Sequence, residues 1–169
     1  MLHILFGEDS FSISEALEKL KEQIGPHEIL EPNISTHHAS AISLDELIAR
    51  CSTVPFLAKK RLIIVTELLK LFEDQRRNRR TRSGNQRSEN STKAWLPLAN
   101  YIPYLPDTTD LVLIDGKIEK TNTLFKSLYK LGHVMEFRPL NGMNLNKWIQ
   151  KRVTSKGSTI APEAIKLLA

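Results

Sequence analysis

Two stretches of this chain are apolar without interruption: Leu62-Ile63-Ile64-Val65 after Arg61, and Leu111-Val112-Leu113-Ile114 before Asp115-Gly116. A strand with one wet face alternates apolar and polar residues, because successive side chains point to opposite faces. Uninterrupted runs suit strands covered on both sides, as in a parallel sheet with helices on either face. Leu2 to Phe6, closed by Gly7, and His133 to Phe137 read as further strands, and His27 to Leu30 as another. Helical spacing fills the intervals. Ile13, Leu17, Leu20 and Ile24 share one helix face, with Ser10 or Ser12 as the cap and Gly25-Pro26 as the stop. Ser43 with Glu46 makes a capping box ahead of Leu44, Leu47 and Ile48. Trp95 to Tyr104, bounded by the constraints of Pro97 and Pro103, and Thr123 to Leu131 are the remaining helices. Strands alternating with helices predict an α/β fold built on a doubly wound parallel sheet.

Past Pro139 only helical patterns follow, Leu145 to Thr154 and Pro162 to Leu168. A domain boundary is therefore expected near residue 140, giving an α/β domain at 1–140 and the start of a helical domain at 141–169. The second stops at Ala169 within an apolar helix, so the chain is expected to be the N-terminal part of a longer protein. Inside the first domain, residues 75–91 lack apolar periodicity and are rich in Arg, Asn, Ser and Gln, the composition of a mobile insertion.

The net charge of +5 is local to that region: Arg76, Arg77, Arg79, Arg80, Arg82, Arg87 and Lys93 stand against the single acid Glu89. Arg76, Arg77, Arg79, Arg80 and Arg82 are candidate DNA contacts, able to neutralise phosphates with salt-dependent and sequence-independent affinity. A solvated loop is the competing reading, and the stretch has no interleaved aromatics for stacking. With one cysteine, Cys51, an internal disulfide is excluded. The N-terminus lacks the pattern of a signal peptide, and no apolar run approaches the ~18–20 residues needed to span a bilayer. A cytoplasmic protein without a membrane segment is the expectation.

A strand-glycine-helix opening invites comparison with the phosphate loop G-x-x-x-x-G-K-[ST], in which backbone amides and a lysine hold phosphates. Registering Gly7 as its first glycine puts Ser12 at the second, Ile13 at the lysine and Ser14 at the metal-binding hydroxyl. Ile13 supplies no cation and fits the apolar helix face. The strand Leu62 to Val65 runs into Thr66-Glu67, where a hydrolase places Asp followed by an acid. His37-His38 lack the i, i+4 spacing of a helical metal pair and read as polar loop. Asp115-Gly116-Lys117 reads as a strand-end turn, and Cys51 as a buried helix residue. No catalytic, cofactor-binding or metal-binding residue is assigned. Thr53-Val54-Pro55-Phe56-Leu57 is different: it is an apolar cluster beside Lys59-Lys60-Arg61 in which the adjacent Phe56 and Leu57 are hard to bury together. The plainer alternative packs Phe56 under the sheet and lets Leu57 cap the preceding helix.

Three segments occur in an order and spacing that resemble the delta subunit of the bacterial DNA polymerase III clamp loader. They are Phe6-Gly7-Glu8-Asp9-Ser10-Phe11, then Cys51 to Leu57 leading into Arg61 to Val65, and Leu111 to Lys117. With Trp148-Ile149 and the helix at Pro162, the resemblance spans all but residues 75–91. It implies an AAA+-like sheet of the phosphate-loop NTPase type without a functional phosphate loop, with residues 141–169 beginning a helical lid domain. It also implies a subunit of the DNA polymerase III holoenzyme without catalysis or cofactor of its own. Val54, Pro55, Phe56 and Leu57 would be the element that enters a pocket on the beta sliding clamp. The delta-prime and gamma/tau subunits would be partners, and primed DNA would be reached through the complex. A nucleic-acid-binding module acting through the arginines and a divergent nucleotide hydrolase are the competing readings.

Overall fold

The computed structural model describes residues 1–73 and 93–168, so the arginine-rich stretch and its expected mobility lie outside the described residues. The chain divides into two compact units, Met1–Phe137 and Arg138–Ala169. In the first, five described strands form one parallel sheet: β1 (Leu2–Gly7), β2 (Ile34–His38), β3 (Arg61–Thr66), β4 (Thr109–Asp115) and β5 (His133–Phe137). Their order is β2-β3-β4-β1-β5. From β1 the chain goes to the far edge, steps back through β3 and β4, and passes β1 to reach β5. Helices α1 (Ser10–Glu22), α2 (Leu30–Asn33), α3 (Leu44–Cys51), α4 (Leu98–Tyr101) and α5 (Thr123–Leu128), with helical residues 68–73, make the connections.

The apolar runs sort residue by residue onto two faces. Ile63, Val65, Leu111 and Leu113, with Leu2, Ile4 and Phe6, pack against Leu47 and Cys51 of α3 and Leu124 and Leu128 of α5. Leu62, Ile64 and Val112, with Leu5, turn the other way onto Ile13 and Leu20 of α1. Each such side chain contributes roughly 1.5–3 kcal/mol by leaving water, so the double layer accounts for the missing alternation.

Three segments depart from their sequence pattern. His27 to Leu30 is no strand: a 3-10 turn at His27–Ile29 leads into α2, and the strand is Ile34–His38, the segment read as loop. As an edge strand that pairs, among the described strands, with β3 alone, β2 tolerates Ser35, His37 and His38, while Ile34 still packs on the second cluster. The cap of α1 is Asp9 rather than Ser10 or Ser12: its carboxylate accepts from Ser12 N at 3.0 Å and Ser12 Oγ at 2.6 Å, and these bonds lower its pKa. Residues 95–104 break into α4 and a 3-10 turn at Ile102–Tyr104, with Pro97 at the first boundary and Pro103 inside the turn. The capping box at Ser43 forms in both directions. The second unit holds α6 (Gly142–Ser155) and α7 (Pro162–Leu168), with Ile149 and Ile165 as its buried side chains.

Candidate functional site

Because every strand is parallel, the sheet has distinct ends. The carboxyl end, where doubly wound folds hold ligands, gathers Gly7, His38, Glu67 and Asp115. The loop between α3 and β3, residues 52–60, lies at the amino end, ahead of Arg61. There Val54 is 81% exposed, Phe56 60% and Leu57 79%, whereas Pro55 is half-buried. Phe56 does not pack under the sheet and Leu57 does not fold back to cap α3. Leu57 holds a left-handed backbone, φ 52°, unusual for a residue with a bulky side chain and costing of order 1–3 kcal/mol.

The loop tolerates that strain because its backbone is fixed from several sides. Asn33, buried at the end of α2, donates from Nδ2 to the Phe56 carbonyl at 2.6 Å and accepts the Phe56 amide on Oδ1 at 2.7 Å. Nδ2 also donates to the Ile29 carbonyl at 2.7 Å, tying the clamped loop to α2. Arg61 Nη1 donates to the Thr53 carbonyl at 3.1 Å, and Thr109 Oγ1 to the Cys51 carbonyl at 2.8 Å. Lys60 reaches the buried Asp110 carboxylate at 3.0 Å. Cys51 itself is buried in the core, and burial pushes its thiol up to about 11, which makes it a packing residue and no nucleophile. Asn33 and Asp110 were not legible as site residues, since each acts on a segment 23 or 50 residues away.

At the carboxyl end the segment resembling a phosphate loop is committed to the fold. Gly7 N donates to the Gly116 carbonyl at 3.1 Å and Asp9 N to the Phe137 carbonyl at 3.2 Å, so these amides serve neighbouring chain. Ile13, at the lysine register, is buried in the second core cluster. Glu67, after β3, is paired with Lys70 at 3.1 Å and His38 at 3.4 Å. Among the described residues no group of three His, Cys, Asp or Glu side chains is placed to hold a metal, and no helix is long and apolar enough to cross a membrane. His37 and His38 lie on edge strand β2, not in a loop. Arg76, Arg77, Arg79, Arg80 and Arg82 lie outside the described residues.

Asp115 does more than end a strand. Its buried carboxylate accepts the amides of Leu69 at 3.1 Å and Lys70 at 3.0 Å, joining β4 to helical residues 68–73. Burial raises its pKa to about 7 against the opposing pull of those two amides. The folded pKa thus lies above the unfolded one, so the folded state keeps a proton that the unfolded chain has released. This contribution to stability is complete below the unfolded pKa near 4 and is lost as pH rises through about 7. Urea unfolding should lose on the order of 1 kcal/mol per pH unit between about pH 5 and 7, a slope that Asp115→Asn removes. Parallel stability profiles for the two proteins would contradict this role.

The whole first unit carries a family signature. A family model described as DNA polymerase III, delta subunit, matches residues 3–138. DNA polymerase III subunit delta of Bacillus subtilis is 24% identical over 169 residues, a match covering 99% of this chain and 46% of that one. The solved structure of the Bacillus subtilis DNA clamp loader delta protein shares the fold with a TM-score of 0.71 at 24% identity, covering 99% of this chain and 47% of that one. This chain therefore spans about half the length of these relatives. Since the family model runs from β1 through β5 and takes in the exposed loop before β3, the chain belongs to the DNA polymerase III delta subunit family.

Proposed function

We propose that this chain is the clamp-gripping part of a clamp loader, inserting Phe56 and Leu57 into an apolar pocket on the beta sliding clamp, with Val54 and Pro55 shaping the approach. The observation that carries this reading is an exposed Val-Pro-Phe-Leu cluster on a loop whose backbone is clamped by Asn33. Preorganised apolar side chains bind with little ordering cost, and buried aromatic anchors dominate interface energies. Gripping alone does not open a ring. The clamp is opened to the extent that its open form is bound more tightly than its closed form.

The chain acts without catalysis of its own. Its role is within the DNA polymerase III holoenzyme in the cytoplasm, alongside delta-prime and gamma/tau subunits that supply ATP switching and bring primed DNA. Residues 1–140 are the clamp-binding domain and 141–169 the start of the lid.

The test is binding to the organism's own sliding clamp by the wild type and by Phe56→Ala/Leu57→Ala, with folding verified by circular dichroism. Truncating hot-spot anchors typically costs ~2–4 kcal/mol, so affinity should fall at least tenfold. Equal affinity in a folded double variant would sink the assignment.

A further inference from the structure

Between edge strand β5 and helix α5 lies a cavity of about 380 Å³ that gripping a clamp leaves unused. Strands β4 and β1 separate β5 from β3, so the cavity and the Phe56 loop are different surfaces. Phe6 and Val134 line it from the sheet, Phe125 from α5 and Tyr129 from that helix's C-terminal cap. The rings stand in series: Phe6 meets Phe125 edge to face at 5.3 Å between centroids, and Phe125 meets Tyr129 in the same way at 5.5 Å. Tyr129 is thereby positioned from below while remaining 55% exposed. Lys120, Lys126 and Lys130 complete the lining, all exposed, and among the described residues none of the three has a carboxylate partner. Glu136 is the one acid present, against those three cations.

The combination selects a ligand. Lysines alone attract any polyanion, but an aromatic wall adds affinity for a flat ring, worth roughly five- to 150-fold per stacked base. An acidic peptide would use the cations and leave the rings idle, whereas a nucleotide uses both. The volume is at the low end of the ~300–1,000 Å³ found for small-ligand sites, the scale of one nucleotide unit. We infer that this cavity binds single-stranded nucleic acid, one base stacking on Tyr129 while neighbouring phosphates meet Lys120, Lys126 and Lys130. None of its lining residues belongs to the Phe56 loop or to the arginine-rich stretch, and that stretch has no aromatic residue of its own.

The experiment is fluorescence anisotropy with a labelled twelve-nucleotide thymidine strand across a salt series, using the full chain. Tyr129→Ala should lower affinity at least fivefold, whereas Tyr129→Phe, which keeps the ring and its packing on Phe125, should bind as the wild type does. Changing Lys120, Lys126 and Lys130 to Gln, all at exposed positions, should reduce the slope of log affinity against log salt by about 2, at roughly 0.7 for each phosphate no longer neutralised. Wild-type binding by both the alanine and the glutamine variants would place the affinity elsewhere in the chain and overturn the proposal. So would equal competition by a twelve-residue glutamate peptide with Tyr129→Ala silent, which marks an acidic-peptide site. Thymidine monophosphate binding as tightly as the strand would overturn it too, in favour of a free nucleotide.

Discussion

Gly7→Ala is expected to cost more than about 4 kcal/mol, enough to unfold most of a domain whose total stability is of order 5–15 kcal/mol. Gly7 closes β1 at φ 137°, a backbone conformation that side-chain-bearing residues rarely adopt. A methyl group there would lie 1.9 Å from the Phe137 carbonyl oxygen and 2.6 Å from its carbon. These are backbone atoms of the neighbouring strand, so relief requires β1 and β5 to separate, losing the Asp9 bond to Phe137. Gly116→Ala is the control: nothing lies within 4 Å of its added methyl, and stability should stay near wild type. Thermal unfolding of the two variants measures the contrast, and a Gly7→Ala melting point within a few degrees of wild type would refute the account. In this chain the glycine that resembles the start of a phosphate loop is required by strand packing.

How far the fold was legible follows from which forces act locally. Leu62 to Val65 and Leu111 to Ile114 announced buried strands because burial on both faces writes itself into consecutive residues. Ser43 and Glu46 announced a helix start because both partners of the capping box lie three residues apart. Strand β2 stayed hidden, since an edge strand with a half-wet surface can be spelled Ile-Ser-Thr-His-His and held by β3 alone. Asp9 displaces the serines beside it as the cap because a carboxylate accepts both Ser12 bonds at once. The exposure of Phe56 and Leu57 was readable as difficulty of burial, but their fixed presentation was not. That property depends on Asn33, Arg61, Thr109 and Asp110, three of which precede or follow the loop at distances no local pattern encodes.

The two ends of the sheet therefore divide the labour. At the carboxyl end, amides and carboxylates that could meet a nucleotide are spent on Gly116, Phe137 and Lys70, and Ile13 is buried in the core. At the amino end, polar groups are spent on backbone, and apolar side chains are left over. A partner-binding role needs that inversion: a rigid support whose unsatisfied surface is hydrophobic.

Asn33→Ala is the sharpest test of the amino end. Removing the side-chain amide deprives the Phe56 N–H and carbonyl of their partner and frees the Ile29 carbonyl in a part-buried setting. At roughly 1–3 kcal/mol for each polar group left without a partner, and with partial rescue by water, a loss of about 2–4 kcal/mol in stability is expected. The loop should also relax, because Leu57 then has no reason to keep φ at 52°. Amide hydrogen exchange should accelerate at residues 54–58 well beyond the change in α1. Under the proposed grip, clamp affinity should drop several-fold with every apolar side chain of the loop still present, since their ordering must now be supplied on binding. Asn33→Asp should be no rescue, for it keeps one acceptor, loses both donated bonds and buries a charge. A folded Asn33→Ala protein with unchanged exchange in the loop would show that Leu57 and its neighbours hold the projecting geometry unaided, and the clamp from α2 would then be a stability feature alone.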